Sequence, residues 1–226
     1  EFTGKGVSYC AICDGELFTD LEVFVVGSGE SSVKESLYLT RYAKKVNIIC
    51  RSNYLKCSKV VEEKIYNNSK INLFFNKVVK KISGDEVLSK IVLEDVNNGD
   101  VLEFYADKGD DIIGLFVFIG LSPQTDIFKD IIEMDSYGYI ITDENMKTNI
   151  EGIFAAGDCR QKMLRQIVTA TNDGAIAAVM AEKYIKEAKD KAKSIRDKAK
   201  KSLEDIIQSS FYKDSDSIKE EIKYLY

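Results

Sequence analysis

Cys10-Ala11-Ile12-Cys13-Asp14 is a dithiol motif, and shortly after it a strand ends in Gly27-Ser28-Gly29, a nucleotide-binding turn. Two residues between cysteines let both sulfurs meet on one tight turn, so the pair can cycle between dithiol and disulfide. Asp14 next door supplies a carboxylate able to take or return a proton in that cycle, or else merely caps the following turn. The pair could instead be structural, or half of a metal site. An adjacent acid and the lack of partner ligands favour redox chemistry. A nucleotide turn beside a redox dithiol points to electrons moving toward another disulfide.

Gly27-x-Gly29-x-x-Ser32 approximates the dinucleotide fingerprint. The first glycine permits the tight turn, the second lets the backbone approach a pyrophosphate, and Ser32 is small enough for close helix–strand packing. Phosphates would rest on the amides that open the helix, at Glu30, Ser31 and Ser32. A purely structural turn is the plain alternative. After the second strand comes Cys50-Arg51-Ser52-Asn53-Tyr54-Leu55-Lys56, with no acid at the strand end to hold a ribose diol. Arg51 and Lys56 form a thin clamp for a 2′-phosphate, or belong to an ordinary solvated loop. Gly157-Asp158 is a second candidate contact, its carboxylate able to accept from a sugar or ribityl hydroxyl. Asn172-Asp173-Gly174-Ala175 would aim free amides at a carbonyl or phosphate. Simple capping explains either as well.

The elements that must position these groups read as follows. Val23 to Val26 is a buried parallel strand, 31–42 a helix and Val46 to Cys50 the next strand, which makes a βαβ unit. A helix over 60–67 and a strand over 71–75 follow. Residues 78–106 alternate as a meander, with Asn97-Asn98-Gly99-Asp100 as its hairpin turn. A last strand over 112–119 closes at Gly120. Beyond it we expect a strand at 140–142, a strand over 152–158 running into a glycine turn, and a helix over 171–186 opened by Asn172-Asp173-Gly174. From 187 onward the chain reads as a solvated helical tail with a thin apolar stripe.

The 226 residues are 45% hydrophobic and 31% charged, as expected of a globular α/β protein. A net charge of −5 and a pI near 5.1 leave no electrostatic footprint for nucleic acid. No apolar run approaches the roughly 20 residues of a membrane span. The absence of histidine removes Ser-His and Cys-His catalysis and most zinc sites, and no metal site is expected. Five cysteines at scattered positions suit a reducing cytoplasm rather than a disulfide framework. The opening Glu1-Phe2-Thr3, without an initiator Met, reads as a fragment or processed product.

From Gly4-Lys5-Gly6-Val7-Ser8-Tyr9-Cys10-Ala11-Ile12-Cys13-Asp14-Gly15 to about Tyr184, the chain resembles the low-molecular-weight bacterial thioredoxin reductases. These belong to the FAD- and NAD(P)-dependent pyridine nucleotide-disulfide oxidoreductases. The likeness takes in Gly114-Leu115-Phe116-Val117-Phe118-Ile119-Gly120 with Pro123, Gly152-Ile153-Phe154-Ala155-Ala156-Gly157-Asp158, Arg165-Gln166-Ile167-Val168-Thr169-Ala170 and Asp173-Gly174-Ala175.

The resemblance implies a Rossmann-like α/β domain with an inserted β-meander and the dithiol over 1–120. It implies the carboxy-terminal part of an FAD-binding domain over 121–186, followed by a charged helical extension over 187–226. It further implies electrons passing from NADPH through FAD to the Cys10–Cys13 disulfide and on to thioredoxin, in a homodimer. Cys13 then matches the cysteine nearer the flavin, Cys10 the one that attacks thioredoxin, and Asp14 the acid that protonates the leaving thiolate. Asp158, Arg165, Gln166 and Ala175 match FAD contacts, with Gly120, Gly157 and Ile167 in the same cofactor-binding set.

Three departures are visible. The amino-terminal half of the FAD domain is missing, so the chain alone is expected to be inactive and 121–186 to leave an apolar face uncovered. The family's His-Arg-Arg-x-x-x-Arg is replaced by Cys50-Arg51-Ser52-x-x-x-Lys56, which admits NADH or reduced ferredoxin as the donor. The tail is an addition. The rival readings are a peroxiredoxin-reducing flavoprotein of the same family and a non-enzymatic nucleotide-binding redox sensor.

Overall fold

The computed structural model describes residues 1–208, and the chain divides into two compact units, Glu1–Leu121 and Ser122–Tyr226. The first is a parallel sheet in the order β1-β8-β2-β3-β4. Its strands are β1 (Val7–Ser8), β2 (Glu22–Val26), β3 (Lys45–Cys50), β4 (Ile71–Phe75) and β8 (Gly114–Val117). A one-turn helix α1 (Ala11–Asp14) follows β1; α2 (Glu30–Leu39) and α3 (Lys59–Tyr66) make the crossovers. Between β4 and β8 runs the expected meander, β5 (Lys77–Ser83), β6 (Lys90–Asp95) and β7 (Val101–Tyr105), paired antiparallel.

Period two sorts β2 between two cores. Val23 and Val25 face the helices with Val33, Leu39, Ile48 and Phe116, whereas Phe24 faces the meander with Leu88, Ile91, Leu93 and Leu115. Burial on both faces is why these strands read as unbroken apolar runs. The buried polar Asn47 of β3 is satisfied across the sheet. Its amide donates to Glu22 Oε1 at 2.6 Å, and its carbonyl oxygen accepts from Asn72 at 2.9 Å.

The last strand is shorter than the 112–119 expected. It starts at Gly114, where a Cβ would meet Phe18 and Val23 at 2.8 Å, and ends at Val117.

In the second unit the expected strands at 140–142 and 152–158 shrink to isolated bridges, Met134↔Ile140, Ile140↔Arg160 and Lys147↔Phe154. A strand needs a neighbouring strand for its ladder, and the apolar runs here pair over one residue each. The helix expected over 171–186 is instead α4, Ile167–Gln208, 42 residues long and about 63 Å at the usual rise. Asn172-Asp173-Gly174 therefore lies inside the helix and does not open it. The expected tail joins α4 without a break at 187; its residues 209–226 lie outside the described part. No described helix is long and apolar enough to cross a membrane.

Candidate functional site

Cys10 and Cys13 are joined as a disulfide with Cα atoms 5.3 Å apart. β1 delivers them: Ser8 pairs with Phe116 of β8, and the chain then turns into α1. Cys10 sits at the cap position, and its Sγ accepts the Cys13 backbone N–H at 3.1 Å. A hydrogen bond to sulfur favours the thiolate once the bond is reduced.

Asp14 does not cap the next turn, which has no side-chain cap bond. Its Oδ2 instead accepts the Ser8 hydroxyl at 2.6 Å, while Ser8 Oγ accepts the Cys10 N–H at 3.1 Å. The buried Ser8 thus holds the acid and the dithiol turn together. Residue-type reasoning passed over it, although its place two residues before Cys10 was a usable signal. Around the half-buried Cys10 and the exposed Cys13, Tyr9, Ile12 and Leu17 are exposed apolar side chains.

The nucleotide turn lies at the same, carboxy-terminal edge of the sheet, since β1, β2, β3 and β8 run parallel. There a groove of about 750 Å³ is lined by Gly27, Gly29, Glu30, Ser31, Ser32, Arg51, Lys56, Lys77 and Gly120, among others. Gly27 has φ +139, and a Cβ on it would lie 2.4 Å from the Phe118 carbonyl oxygen. Nothing stands within 4 Å of a Cβ at Gly29, so the backbone is open to a ligand there. Gly29 also caps α2 without a side-chain bond, so no side chain covers the amides that open the helix there. These features fit a dinucleotide pyrophosphate.

Glu30 does not face a ligand alone. It accepts the Ser58 N–H at 2.9 Å and pairs with Lys34 at 2.9 Å, and these partners lower its pKa. It thereby ties α2 to the start of α3. Lys56 is fixed through its backbone, whose N–H reaches the Ser28 carbonyl at 2.6 Å. Ser52 stands where an arginine was expected from the resemblance, and its hydroxyl bonds to the Tyr54 carbonyl at 2.8 Å. Lys77 is a further cation on the groove, held by Asp95. It was missed because it opens the meander, far in sequence from the turn. Burial first, then neighbouring Cys57, pushes the Cys50 thiol up to about 11, so the residue at the β3 end is neutral.

The second unit gathers the remaining candidates around Asp173. Its carboxylate accepts the Gly157 N–H at 3.1 Å and pairs with Lys162 at 2.8 Å and Arg160 at 3.5 Å. Burial opposes ionisation, but these partners outweigh it and hold the carboxyl below its ordinary value. The Asp173 carboxylate, rather than free amides of 172–175, therefore shapes the Gly157 turn. Asp158 projects from that turn, with its side chain 58% exposed. Arg165 stacks on Tyr139 at 3.9 Å, and its buried Nε has no hydrogen-bond partner among the described residues. Gln166 precedes α4, Ile167 is exposed at its first position, and Ala175 lies on an exposed part of it. A buried donor lacking an acceptor and an exposed carboxylate in the same unit fit part of a polar cofactor's cradle.

Residues 1–174 match the family described as pyridine nucleotide-disulphide oxidoreductase, and the chain belongs to that family. Within it, the chain is 51% identical over 187 residues to the thioredoxin reductase of Peptoclostridium litorale, covering 83% of this chain and 59% of that one. It is 41% identical over 197 residues to the thioredoxin reductase of Bacillus subtilis, covering 87% and 60%. The crystal structure of thioredoxin reductase from Streptococcus pyogenes superposes with a TM-score of 0.75 at 42% identity, covering 82% of this chain and 59% of that one. For the thioredoxin reductase of Giardia duodenalis the TM-score is 0.68 at 33% identity, with 80% and 58% covered. The chain thus spans about three-fifths of the length of these relatives.

Proposed function

We propose that this chain is the nucleotide- and dithiol-bearing portion of a thioredoxin-disulfide reductase. The supporting observation is the Cys10–Cys13 disulfide standing on the same sheet edge as the Gly27 turn. The α2 amides and the open backbone at Gly29 hold the dinucleotide pyrophosphate. Arg51 and Lys56 take the 2′-phosphate, which makes NADPH the donor. Gly157, Asp158, Arg165, Gln166, Ile167 and Ala175 form the second unit's share of an FAD cradle, while Gly120 lines the dinucleotide groove of the first. Bound FAD would supply the relay between a two-electron hydride donor and the disulfide. The working assembly is a cytoplasmic homodimer.

The thiol chemistry belongs to this chain's own residues. In the reduced state the Cys13 amide stabilises a Cys10 thiolate. That thiolate attacks one sulfur of oxidised thioredoxin, forming a mixed disulfide and releasing the other sulfur as a thiolate. Asp14, oriented by Ser8, passes the Cys13 thiol proton to this leaving thiolate. The Cys13 thiolate then attacks Cys10 Sγ, re-forming the intramolecular disulfide and freeing reduced thioredoxin. Tyr9, Ile12 and Leu17 offer the apolar contact for the incoming protein.

A single-turnover experiment tests this. The chemically reduced chain, freed of reductant, is mixed with oxidised thioredoxin, and thioredoxin thiols are counted. One dithiol transferred per chain is expected, with Cys13→Ser trapping a mixed disulfide at Cys10. No transfer, or trapping only in Cys10→Ser, overturns the assignment. Calorimetric titration with NADPH and NADH tests the donor separately. Tighter NADPH binding that Arg51→Ala removes is expected, and equal binding of both refutes the 2′-phosphate clamp.

A further inference from the structure

The helix α4 continues beyond the body it packs on. Through Asp173, Ala177, Met180 and Tyr184 it presents buried or half-buried side chains at three- and four-residue spacing. Further along, a neighbouring stripe of small and apolar side chains runs through Ala188, Ala192, Ile195 and Ala199 to Ser202, and every residue from 185 to 202 is exposed. Ile195 is 61% exposed and Ile185 51%. Written as a heptad, Ile185, Ala192 and Ala199 take position a, and Ala188, Ile195 and Ser202 take d.

Charge is distributed around that seam with a clear sign. Lys189 and Arg196 stand at e, and Lys191 and Lys198 at g, so cations border both sides. Asp190 and Asp197 lie on the far side at f. Arg196 comes within 3.9 Å of Asp197, but both side chains are in solvent, where such a pair contributes little.

We propose that residues 185–202 form one strand of a two-stranded coiled coil whose partner is an acidic helix of another protein. The argument rests on the regular exposed seam at a and d and on the charge complementarity of the cations that border it. A second copy of this chain does not suit the seam. Parallel pairing sets Lys191 against Arg196, and antiparallel pairing brings the lysine-bearing edges together. Alanine at half the seam positions leaves shallow holes, so the partner must bring large knobs such as leucine, with Glu or Asp at its own e and g positions. A lipid surface would want bulky apolar side chains on a wider face than these alanines provide. This inference is independent of the redox reading.

The test uses the full chain and a fluorescent synthetic helix of about four heptads with Leu at a and d and Glu at e and g. Saturable anisotropy is expected, weakened at least ~10-fold by Lys191→Glu with Lys198→Glu. Adding Lys189→Glu and Arg196→Glu to that variant should make it bind the matching peptide carrying Lys at e and g instead. Ala192→Gln with Ala199→Gln keeps charge and helix propensity while filling the holes, and should abolish binding with circular dichroism unchanged. Absence of saturation, or binding indifferent to the glutamine pair, overturns the proposal. So does a self-associated chain in sedimentation that the glutamine pair dissociates, or co-sedimentation with phosphatidylserine vesicles that it abolishes.

Discussion

The two units are held by different forces. In 1–121, five parallel strands and a meander bury Phe24, Ile48, Ile91, Leu93 and Phe116 completely. In the second unit the described buried apolar residues are few, Ile132, Tyr139, Ile140, Met146 and Ala155, and the best-connected buried group is a carboxylate. Large apolar side chains there stay open to solvent, Met163 at 99% and Ile167 at 85%. One unit is organised by hydrophobic burial, which is non-directional and cumulative. The other is organised by a few directional bonds, each of which matters alone.

Substitutions can break that contrast. Phe24→Ala should have the largest effect, because Phe24 is fully buried with the Phe104 ring centroid 5.0 Å away. A loss of about 3–5 kcal/mol is expected, read as lost hydrogen-exchange protection in β2 and β3. Asp173→Ala leaves Lys162 buried without its closest partner and frees the Gly157 amide. We expect about 3 kcal/mol of lost protection across 155–184, with Lys162→Met in the same chain recovering part of it. A mild response to Asp173→Ala would mean that apolar contacts carry the second unit after all.

Acid sharpens the same comparison. The Asp173 carboxyl is lowered in the folded state, so the unfolded chain binds the proton more readily. Its stabilisation is complete above the ordinary value of 3.8 and is lost as the pH falls through the folded-state value. Exchange protection around Gly157 should therefore fall at the acid end, while that of Val25 and Ile48 declines less. Equal decline would remove the electrostatic distinction.

Smaller effects concern the thiols. Ser8→Ala releases Asp14 from a 2.6 Å bond and should slow thioredoxin reduction by a few-fold, seen in single-turnover rates. Cys50, with its thiol at about 11, should be the slowest cysteine to alkylate in the reduced protein near pH 8, checked by peptide mass spectrometry.

Much of the first unit was legible in its sequence because its signals are local. The Gly27 turn needs a backbone no other residue adopts, and the two-residue cysteine spacing alone allows the short bridge. The apolar run at 23–26 and the Asn98-Gly99 turn likewise act on their immediate neighbours. The second unit was harder. Ile140 to Thr142 has the composition of a strand, but composition does not supply a strand to pair with. Asn172-Asp173-Gly174 resembles a helix start, yet α4 begins upstream at Ile167. Asp173 then serves a turn 16 residues earlier, a tertiary demand invisible in a local pattern. Lys77 escaped notice for the same reason, since only folding brings the start of the meander to the Gly27 groove.

The pairing of Ser8 with Phe116 also sets a schedule. The strand that delivers the dithiol is made more than a hundred residues before its sheet neighbour. At about 5–20 residues per second that interval lasts on the order of ten seconds. Throughout it, Cys10 and Cys13 lack the strand that will anchor them, open to partners that the finished sheet edge would deny them. The order of synthesis thus leaves the reactive pair among the parts of this unit that wait longest to be secured.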